Sequence, residues 1–328
     1  MIFLSLLFEA VLADHQYYQT SYDCTYVDGV IKVSTTGEKT VVDSCTATTC
    51  SKDVAPTTTY SCQLKTHGAA AFGEPHFRMW TGDDRDVWFD YQGACDLVLV
   101  HNPKLSTGRF LNIHIRTTIL GVFSYIENAA IQIGEEVLEI QASKLGRGVR
   151  NVLNGEDVSN PTLFAGFSIK KVNVTKYCAK QKCEGAEIIK IDLEDDGEVV
   201  ITNWKGYLYV DVIATGDGFL FSEGLMGKRD QSGKYARNGT LLHDADEFAQ
   251  EWQVLQTERK LFKENRYPQA PIPCTPPPKQ IQRRIDGTGL TRRRAEDACS
   301  GLYGGIKDAC VYDVMATSDL DMAIPYFF

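Results

Sequence analysis

Six histidines and 43 acidic residues give this chain many groups capable of acid–base chemistry. None of the histidines lies in His-Glu-x-x-His or His-x-His spacing, and no glycine-rich loop follows a strand to hold phosphate. The strongest candidates are His76 as a base and the carboxylates of Glu74 and Asp90, which could flank a sugar bond. Acids on neighbouring strands are common at surfaces, and His76 suits a hydrogen bond across its strand. The sequence therefore predicts a protein that is not an enzyme.

The ten cysteines indicate disulfide chemistry. An even number spread along the chain fits five disulfides made in an oxidising compartment, with reduced structural thiols as the alternative. Cys178 and Cys183 could form half of a zinc site, but no second pair completes it, so a local disulfide is expected. Asn173 and Asn238 begin Asn-x-Thr glycosylation sequences, which fit the same compartment. The disulfide candidates are Cys24, Cys45, Cys50, Cys62, Cys95, Cys178, Cys183, Cys274, Cys299 and Cys310.

Residues 1–13 form a short apolar run that predicts a signal peptide. The run ends in Val11-x-Ala13, which suits cleavage before Asp14. No lysine or arginine precedes it and Glu9 interrupts it, so a truncated or misassigned start is the alternative. A membrane-spanning helix needs about 20 apolar residues, which no stretch of the sequence supplies. We expect a secreted, extracellular protein without a transmembrane segment.

Charge and composition narrow the class of partner. The formal net charge of -9 repels nucleic acid and anionic lipid. With 43% hydrophobic and 23% charged residues, the chain has the composition of a globular protein rather than a disordered or fibrous one. The expected partners are extracellular or matrix proteins, including further copies of this chain.

Residues 68–260 are predicted to form one domain, and from about Phe72 to Leu220 it contains short runs in which every second residue is apolar. Ile189, Ile191 and Leu193 share one face of such a run, and the same alternation recurs at residues 113–116 and 207–212. Turn-forming stretches separate the runs, and strands do not alternate with helices. The predicted fold class is mainly β: an antiparallel β-sandwich with a C-terminal helix and small disulfide-rich flanking segments.

A helix is predicted at the end of this region, from about His243 to Lys260. Asp244 or Asp246 can cap the free amides of its first turn, and apolar residues recur at helical spacing from Phe248 onward.

The flanking segments differ from the sandwich in composition. Residues 14–67 are rich in threonine and cysteine, which predicts a small module held by disulfides. Residues 261–294 are rich in proline and then basic, which predicts a linker, and residues 295–328 predict a small cysteine-containing helical segment. Within it, Cys299 and Cys310 would hold a helical hairpin. The cluster Arg292-Arg-Arg294 is either a solvated basic face or a processing site.

Two separated stretches resemble the von Willebrand factor type D domain. Gly73-Glu-Pro-His-Phe-Arg-Met-Trp-Thr-Gly82, followed by Phe89-Asp-Tyr-Gln-Gly-Ala-Cys-Asp-Leu-Val-Leu99, is similar to the opening of that domain. Gly224-Leu-Met-Gly227 and Asp246-Glu-Phe-Ala-Gln-Glu-Trp252 are similar to its closing stretch and helix. The resemblance covers about residues 68–256, and residues 295–313 resemble the segment that often follows such domains. Its signature positions here are Gly73, Pro75, His76, Phe77, Gly93, Cys95, Gly224, Gly227 and Trp252.

The resemblance implies a calcium site whose ligands are largely missing here. Thr81 stands at the family's turn aspartate, and the downstream ligand series falls on Lys228, Asp230 and Ser232. Calcium needs several oxygen ligands, and Lys228 would repel it, so Asp230 is at most a weak metal ligand. Asp83, Asp84 or Asp86 could replace the missing calcium ligands, but we expect the protein to have no cofactor.

A second implication of the resemblance concerns sulfur chemistry. Family members with a Cys-Gly-Leu-Cys motif have paired sulfurs that could exchange disulfides, but Glu223 and Met226 occupy those two positions here. Exchange through this motif is excluded. The change also removes a family candidate for the partner of Cys95, and Cys62 is the replacement we expect.

These observations predict a structural or adhesive extracellular protein that acts by association without catalysis. The alternative is a glycan- or lipid-binding module that uses Tyr207 and Tyr209 on a sheet face. A glycoside hydrolase that uses Glu74 and Asp90 is a more distant alternative.

Overall fold

The computed structural model describes the chain in two units, Met1–Lys65 and Thr66–Phe328. In the first unit, β1 (Tyr18–Val27) and β2 (Val30–Val41) form an antiparallel hairpin. The residues described are 18–27, 30–41, 67–72, 75–80, 87–121, 123–143, 148–174, 177–178, 181–182, 186–215, 218–229, 233–277 and 290–327.

In its described residues, the second unit is mainly strand, with three α-helices. Its first nine strands are β3 (His67–Phe72), β4 (His76–Met79), β5 (Val87–Asp90), β6 (Asp96–Asn102), β7 (Leu111–Leu120), β8 (Phe123–Ile133), β9 (Glu136–Ala142), β10 (Val149–Leu153) and β11 (Glu156–Val158). The remaining strands are β12 (Leu163–Phe164), β13 (Phe167–Val174), β14 (Tyr177–Cys178), β15 (Gln181–Lys182), β16 (Ala186–Asp192), β17 (Gly197–Trp204), β18 (Tyr207–Ala214), β19 (Lys234–Tyr235) and β20 (Leu241–Leu242). The helices are α1 (Ala245–Glu251), α2 (Arg292–Ala298) and α3 (Gly304–Thr317), with 3-10 helices at Glu194–Asp196 and Leu320–Phe327.

Two antiparallel sheets pack face to face. One has six strands in the order β11-β10-β9-β8-β7-β6, and the other has eight in the order β12-β13-β16-β17-β18-β3-β4-β5. Alternate side chains from both sheets, among them Ile113, Ile131, Ile191 and Val210, are fully buried in one shared core. The predicted mainly β fold with antiparallel sheets and a C-terminal helix is confirmed.

Helix α1 begins where predicted but ends earlier. The Asp244 side chain accepts a hydrogen bond from the Glu247 amide and caps the first turn. The prediction of a helix as far as Lys260 is wrong, because the backbone from Trp252 onward bonds to the edge of β6. The Val98 amide donates to the Trp252 carbonyl and the Val254 amide donates to Asp96, both within 2.9 Å.

Residues 253–277 then cross the outer face of the six-stranded sheet. Leu261 and Phe262 pack on Ala130, and Cys274 forms a disulfide with Cys95. Residues 261–277, predicted to begin a linker, are thus packed against the sandwich, and the expected pairing of Cys95 with Cys62 is wrong.

A buried ion pair lies under this crossing segment. The Arg116 guanidinium donates to both oxygens of Asp96 at 2.7 and 2.8 Å, and both side chains are at most 2% exposed. The Phe262 ring covers the guanidinium at 4.3 Å. The crossing segment therefore buries the Arg116–Asp96 ion pair. Removing one partner of a buried ion pair is strongly destabilising, because the other charge is left unpaired.

The C-terminal helices cover the outer face of the eight-stranded sheet. Phe72 and Tyr209 from the sheet pack against Val314 of α3 and against Met322 and Tyr326 of the last 3-10 helix. The predicted Cys299–Cys310 disulfide is confirmed and joins α3 to the end of α2. None of the helices in the described part of the chain is long and apolar enough to cross a lipid bilayer.

The disulfides Cys95–Cys274 and Cys299–Cys310 offer a matched stability test. Cys95 and Cys274 are 179 positions apart, whereas Cys299 and Cys310 are 11 apart. Because a cross-link that closes a longer loop restricts the unfolded chain more, we expect a loss of about 5 kcal/mol for the double variant Cys95→Ala/Cys274→Ala and about 3 kcal/mol for Cys299→Ala/Cys310→Ala. Guanidinium unfolding followed by tryptophan fluorescence measures both. An equal or smaller loss for the first variant contradicts this expectation.

Candidate functional site

His76 lies at the junction between the eight-stranded sheet and α3. The register of β4 and β5 places it opposite Asp90, whose Oδ1 is 2.6 Å from His76 Nδ1. His76 Nε2 is 3.1 Å from Oδ1 of Asp313 on α3, and the Tyr326 hydroxyl donates to the other oxygen of Asp313 at 2.6 Å. The His76 side chain is 2% exposed and Asp313 is fully buried. These four groups form a link between the sheet and the C-terminal segment.

The electrostatics of this link favour a charged imidazolium. Burial by itself would lower the pKa of His76, but Asp313 and Asp90 outweigh it and raise the pKa to about 9. His76 is therefore protonated at neutral pH, and each of its N–H groups donates to a carboxylate. A protonated, enclosed imidazole cannot accept a proton from a substrate, so this geometry favours a structural role for His76.

The structure brings the two separated signature stretches side by side. The Trp80 amide donates to the Met226 carbonyl at 2.8 Å, and the Met226 amide donates to Leu99 at 3.1 Å. Gly224 has a φ of +123°, and a Cβ there would lie 2.6 Å from the Leu99 carbonyl oxygen, so only glycine fits this approach. Hydrogen bonds thus join residues that are more than 120 positions apart in sequence.

The other signature residues lie in the core around these stretches. Pro75 and Phe77 are buried, with Phe77 stacked on Phe89 at 4.8 Å. A Cβ at Gly93 would lie 2.6 Å from the Tyr91 hydroxyl oxygen. Gly227 has a φ of +75°, and the Trp252 indole donates to the Tyr235 carbonyl at 3.0 Å. Gly73 lies outside the described residues.

Cations occupy the loop that the resemblance associates with calcium. Lys228 Nζ is 3.6 Å from a Glu223 carboxylate oxygen, and the Arg229 guanidinium, 7% exposed, donates to the Gly218 carbonyl. The described residues contain no cluster of three or more potential metal-ligating His, Cys, Asp or Glu side chains. The remaining candidate ligands, Thr81, Asp83, Asp84, Asp86, Asp230 and Ser232, lie outside the described part of the chain.

The tyrosines assigned to the alternative binding face are not a surface platform. Tyr209 is 1% exposed under the C-terminal helices, and Tyr207 is half-buried with its ring 5.0 Å from that of Tyr125. By contrast, Asn173 and Asn238 are both exposed, as glycosylation requires.

Several predicted residues fall where the structure gives no side-chain description. The residues concerned are Glu74, Cys24, Cys45, Cys50, Cys62, Cys178 and Cys183. Their predicted roles and pairings stay predictions.

A cleft that sequence reasoning missed lies beside the end of β6. Two adjacent cavities of about 480 and 320 Å³ share His101 and Glu223 as lining residues, and we call them together the His101 cleft. The backbones of His101 and Glu223 are joined by two hydrogen bonds of 2.7 and 2.8 Å. The only sequence signal was the polar face of the strand at residues 113–116, where His114 alternates with isoleucines.

Comparison with known proteins gives no family assignment. No protein-family model matches the chain. No curated protein matches it either.

The His76 link predicts a specific pH dependence of stability. The pKa of His76 is about 9 in the folded protein and 6.5 when unperturbed, so its stabilisation is complete below pH 6.5 and is lost as the pH rises to 9. We expect the free energy of unfolding to fall by about 3 kcal/mol over this range. Denaturant titrations at pH 6 and pH 9 measure it. The variant His76→Gln should lack this contribution, and an equal pH dependence in both proteins would refute it.

Proposed function

We propose that this chain is a secreted extracellular protein with a von Willebrand factor type D-like sandwich, which associates with matrix proteins or with copies of itself and has no catalytic role. The proposal rests on the surroundings of His76, which is the strongest acid–base candidate in the sequence. His76 is enclosed between Asp90 and Asp313, where it joins the sheet to α3. In a hydrolase such a group would be exposed to the substrate, whereas in this protein His76 stabilises the fold.

The disulfides support the extracellular part of the proposal. Cys95–Cys274 fixes the crossing segment to one sheet, and Cys299–Cys310 braces the helices on the other. Disulfides of this structural kind form and persist in oxidising compartments. The exposure of Asn173 and Asn238 is compatible with the same location.

The proximity of the two signature stretches supports the type D-like assignment. In sequence they are separate, yet Met226 bonds to both Trp80 and Leu99. The glycines of these stretches also occupy positions where a side chain would collide with neighbouring groups, as Gly224 does against Leu99. A shared fold accounts for why the two matches occur in one chain and in this order.

The glycoside hydrolase alternative receives less support from the site. The Asp90 carboxylate, which with Glu74 makes up the proposed catalytic pair, is exposed but accepts a short hydrogen bond from His76. Replacing Asp90 would therefore weaken the fold as well as any reaction.

Sedimentation velocity of the protein secreted by a eukaryotic host tests association directly. We expect the weight-average sedimentation coefficient to rise between about 1 and 100 µM, because weak self-association is populated in that range. Addition of EDTA should leave the rise unchanged, because the loop that includes Lys228 and Arg229 has lost its calcium-binding character. Non-reducing mass spectrometry of the same sample should show disulfide-bonded cysteines.

Three outcomes would refute the proposed function. One is retention of the chain inside the host with mostly free thiols. Another is a sedimentation coefficient independent of concentration, together with no binding to purified extracellular matrix. The third is turnover of oligosaccharides that Asp90→Asn abolishes while the variant keeps its fold, as judged by circular dichroism.

A further inference from the structure

The His101 cleft has two parts that share His101 and Glu223 as lining residues. The larger cavity is lined by Pro103, Leu220, Phe221, Ser222 and Lys228, in addition to the two shared residues. The smaller one is lined by Asn112, His114, Trp252 and Arg259, among others. The cavities are comparable in size with one or two sugar rings, at the lower end of small-molecule sites.

A chain of side-chain amides fixes the tautomer of His101. The Gly134 carbonyl can only accept, so the Gln132 nitrogen faces it at 3.0 Å. The Gln132 oxygen then accepts from the Asn112 nitrogen at 2.9 Å, which turns the Asn112 oxygen toward His101 Nδ1. Nδ1 of His101 therefore carries the proton. In the neutral ring, Nε2 keeps a lone pair that can accept a hydrogen bond.

His114 is a second imidazole at the cleft. It is 5% exposed, and burial lowers its pKa to about 3, so the ring is uncharged at neutral pH. Its Nδ1 atom has no hydrogen-bond partner among the described residues, and neither does the fully buried hydroxyl of Ser222. Both atoms are closed off from solvent, so they are unsatisfied polar groups behind the wall of the cleft rather than groups that a ligand contacts directly.

The charged groups around the cleft already have protein partners. Lys228 pairs with Glu223 at 3.6 Å, and Arg259 pairs with Glu135 at 3.1 Å. Arg237, which stacks over the Trp252 ring at 4.7 Å, pairs with Glu258 at 3.3 Å. A charged ligand would have to compete with these pairs, whereas a neutral ligand with hydroxyl groups would leave them in place.

Phe221 provides an apolar surface at the same cleft. Its side chain is 72% exposed, the highest value among the exposed large aliphatic and phenylalanine side chains in the described residues. The face of an aromatic ring is negative, and the C–H face of a sugar ring is apolar and weakly positive, so the two stack favourably. An exposed ring beside neutral hydrogen-bonding groups suits a saccharide better than a purely apolar ligand.

We propose that the His101 cleft binds a neutral saccharide, with Phe221 stacked on a sugar ring and Nε2 of His101 hydrogen-bonded to one of its hydroxyls. This inference goes beyond the proposed function, since it depends on the extracellular location but not on self-association. It also places the sugar contact away from Tyr207 and Tyr209.

Glycan binding is tested on an array of neutral glucose, mannose, galactose and N-acetylglucosamine oligomers, with heparin and sialylated glycans as charged comparators. The best neutral binder is then titrated calorimetrically against the full chain. We expect a dissociation constant of about 0.1–1 mM. Phe221→Ala should weaken binding about 10-fold through loss of stacking, and His101→Phe should weaken it to a similar degree through loss of the acceptor.

Tyr303→Ala is the matched control, because Tyr303 is an aromatic residue with 81% exposure that does not line the cleft. It should bind the saccharide as the unaltered chain does, and circular dichroism should show that all three variants are folded. The proposal is overturned if no neutral saccharide binds up to about 10 mM. It is also overturned if only charged glycans bind, or if Phe221→Ala and His101→Phe both bind normally. Self-association of the same samples is measured separately by sedimentation. A failure to bind saccharide would therefore not change the self-association result.

Discussion

The alternation of side chains along each strand is the constraint on which the rest of this structure depends. A strand directs successive side chains to opposite faces of its sheet, so the apolar half of each strand fills the space between the two sheets. The side chains on the outer face of each sheet contact either solvent or another segment of the chain that covers that face. In this chain the residues after Trp252 supply both covers: a crossing segment on the six-stranded sheet and the C-terminal helices on the eight-stranded sheet.

Both covers are closed over buried charge. Arg116 with Asp96 lies under the crossing segment, and His76 with Asp313 lies under α3, while Asp90 pairs with His76 from the exposed side. Taking such groups out of water is costly, and pairing with an opposite charge offsets part of that cost. The C-terminal chain belongs to the fold, since without it these charges would be partly unpaired or exposed beside apolar surface.

The His101 cleft arises where this covering stops. At the end of β6, the sheet edge pairs with Glu223 rather than with another strand, and the polar row of His101, Asn112 and His114 meets a gap between loops. Elsewhere on the six-stranded sheet, the same kind of polar row is sealed by Phe262. The outward-facing polar side chains of the same sheet thus form a buried ion pair where Phe262 covers them and an open cavity where no segment of the described chain covers them.

The sequence by itself determined the local features. The alternation at residues 189–193 and 207–212 predicted antiparallel strands, Asp244 predicted a helix start, and the spacing of Cys299 and Cys310 predicted their disulfide. Only the tertiary structure decided that Cys95 pairs with Cys274, that α1 stops at Glu251 and that Tyr209 is covered. The reason is that periodicity and capping act over a few residues and are recorded in the side chains themselves. Which distant segment covers which face depends on packing and charge pairing across the whole domain.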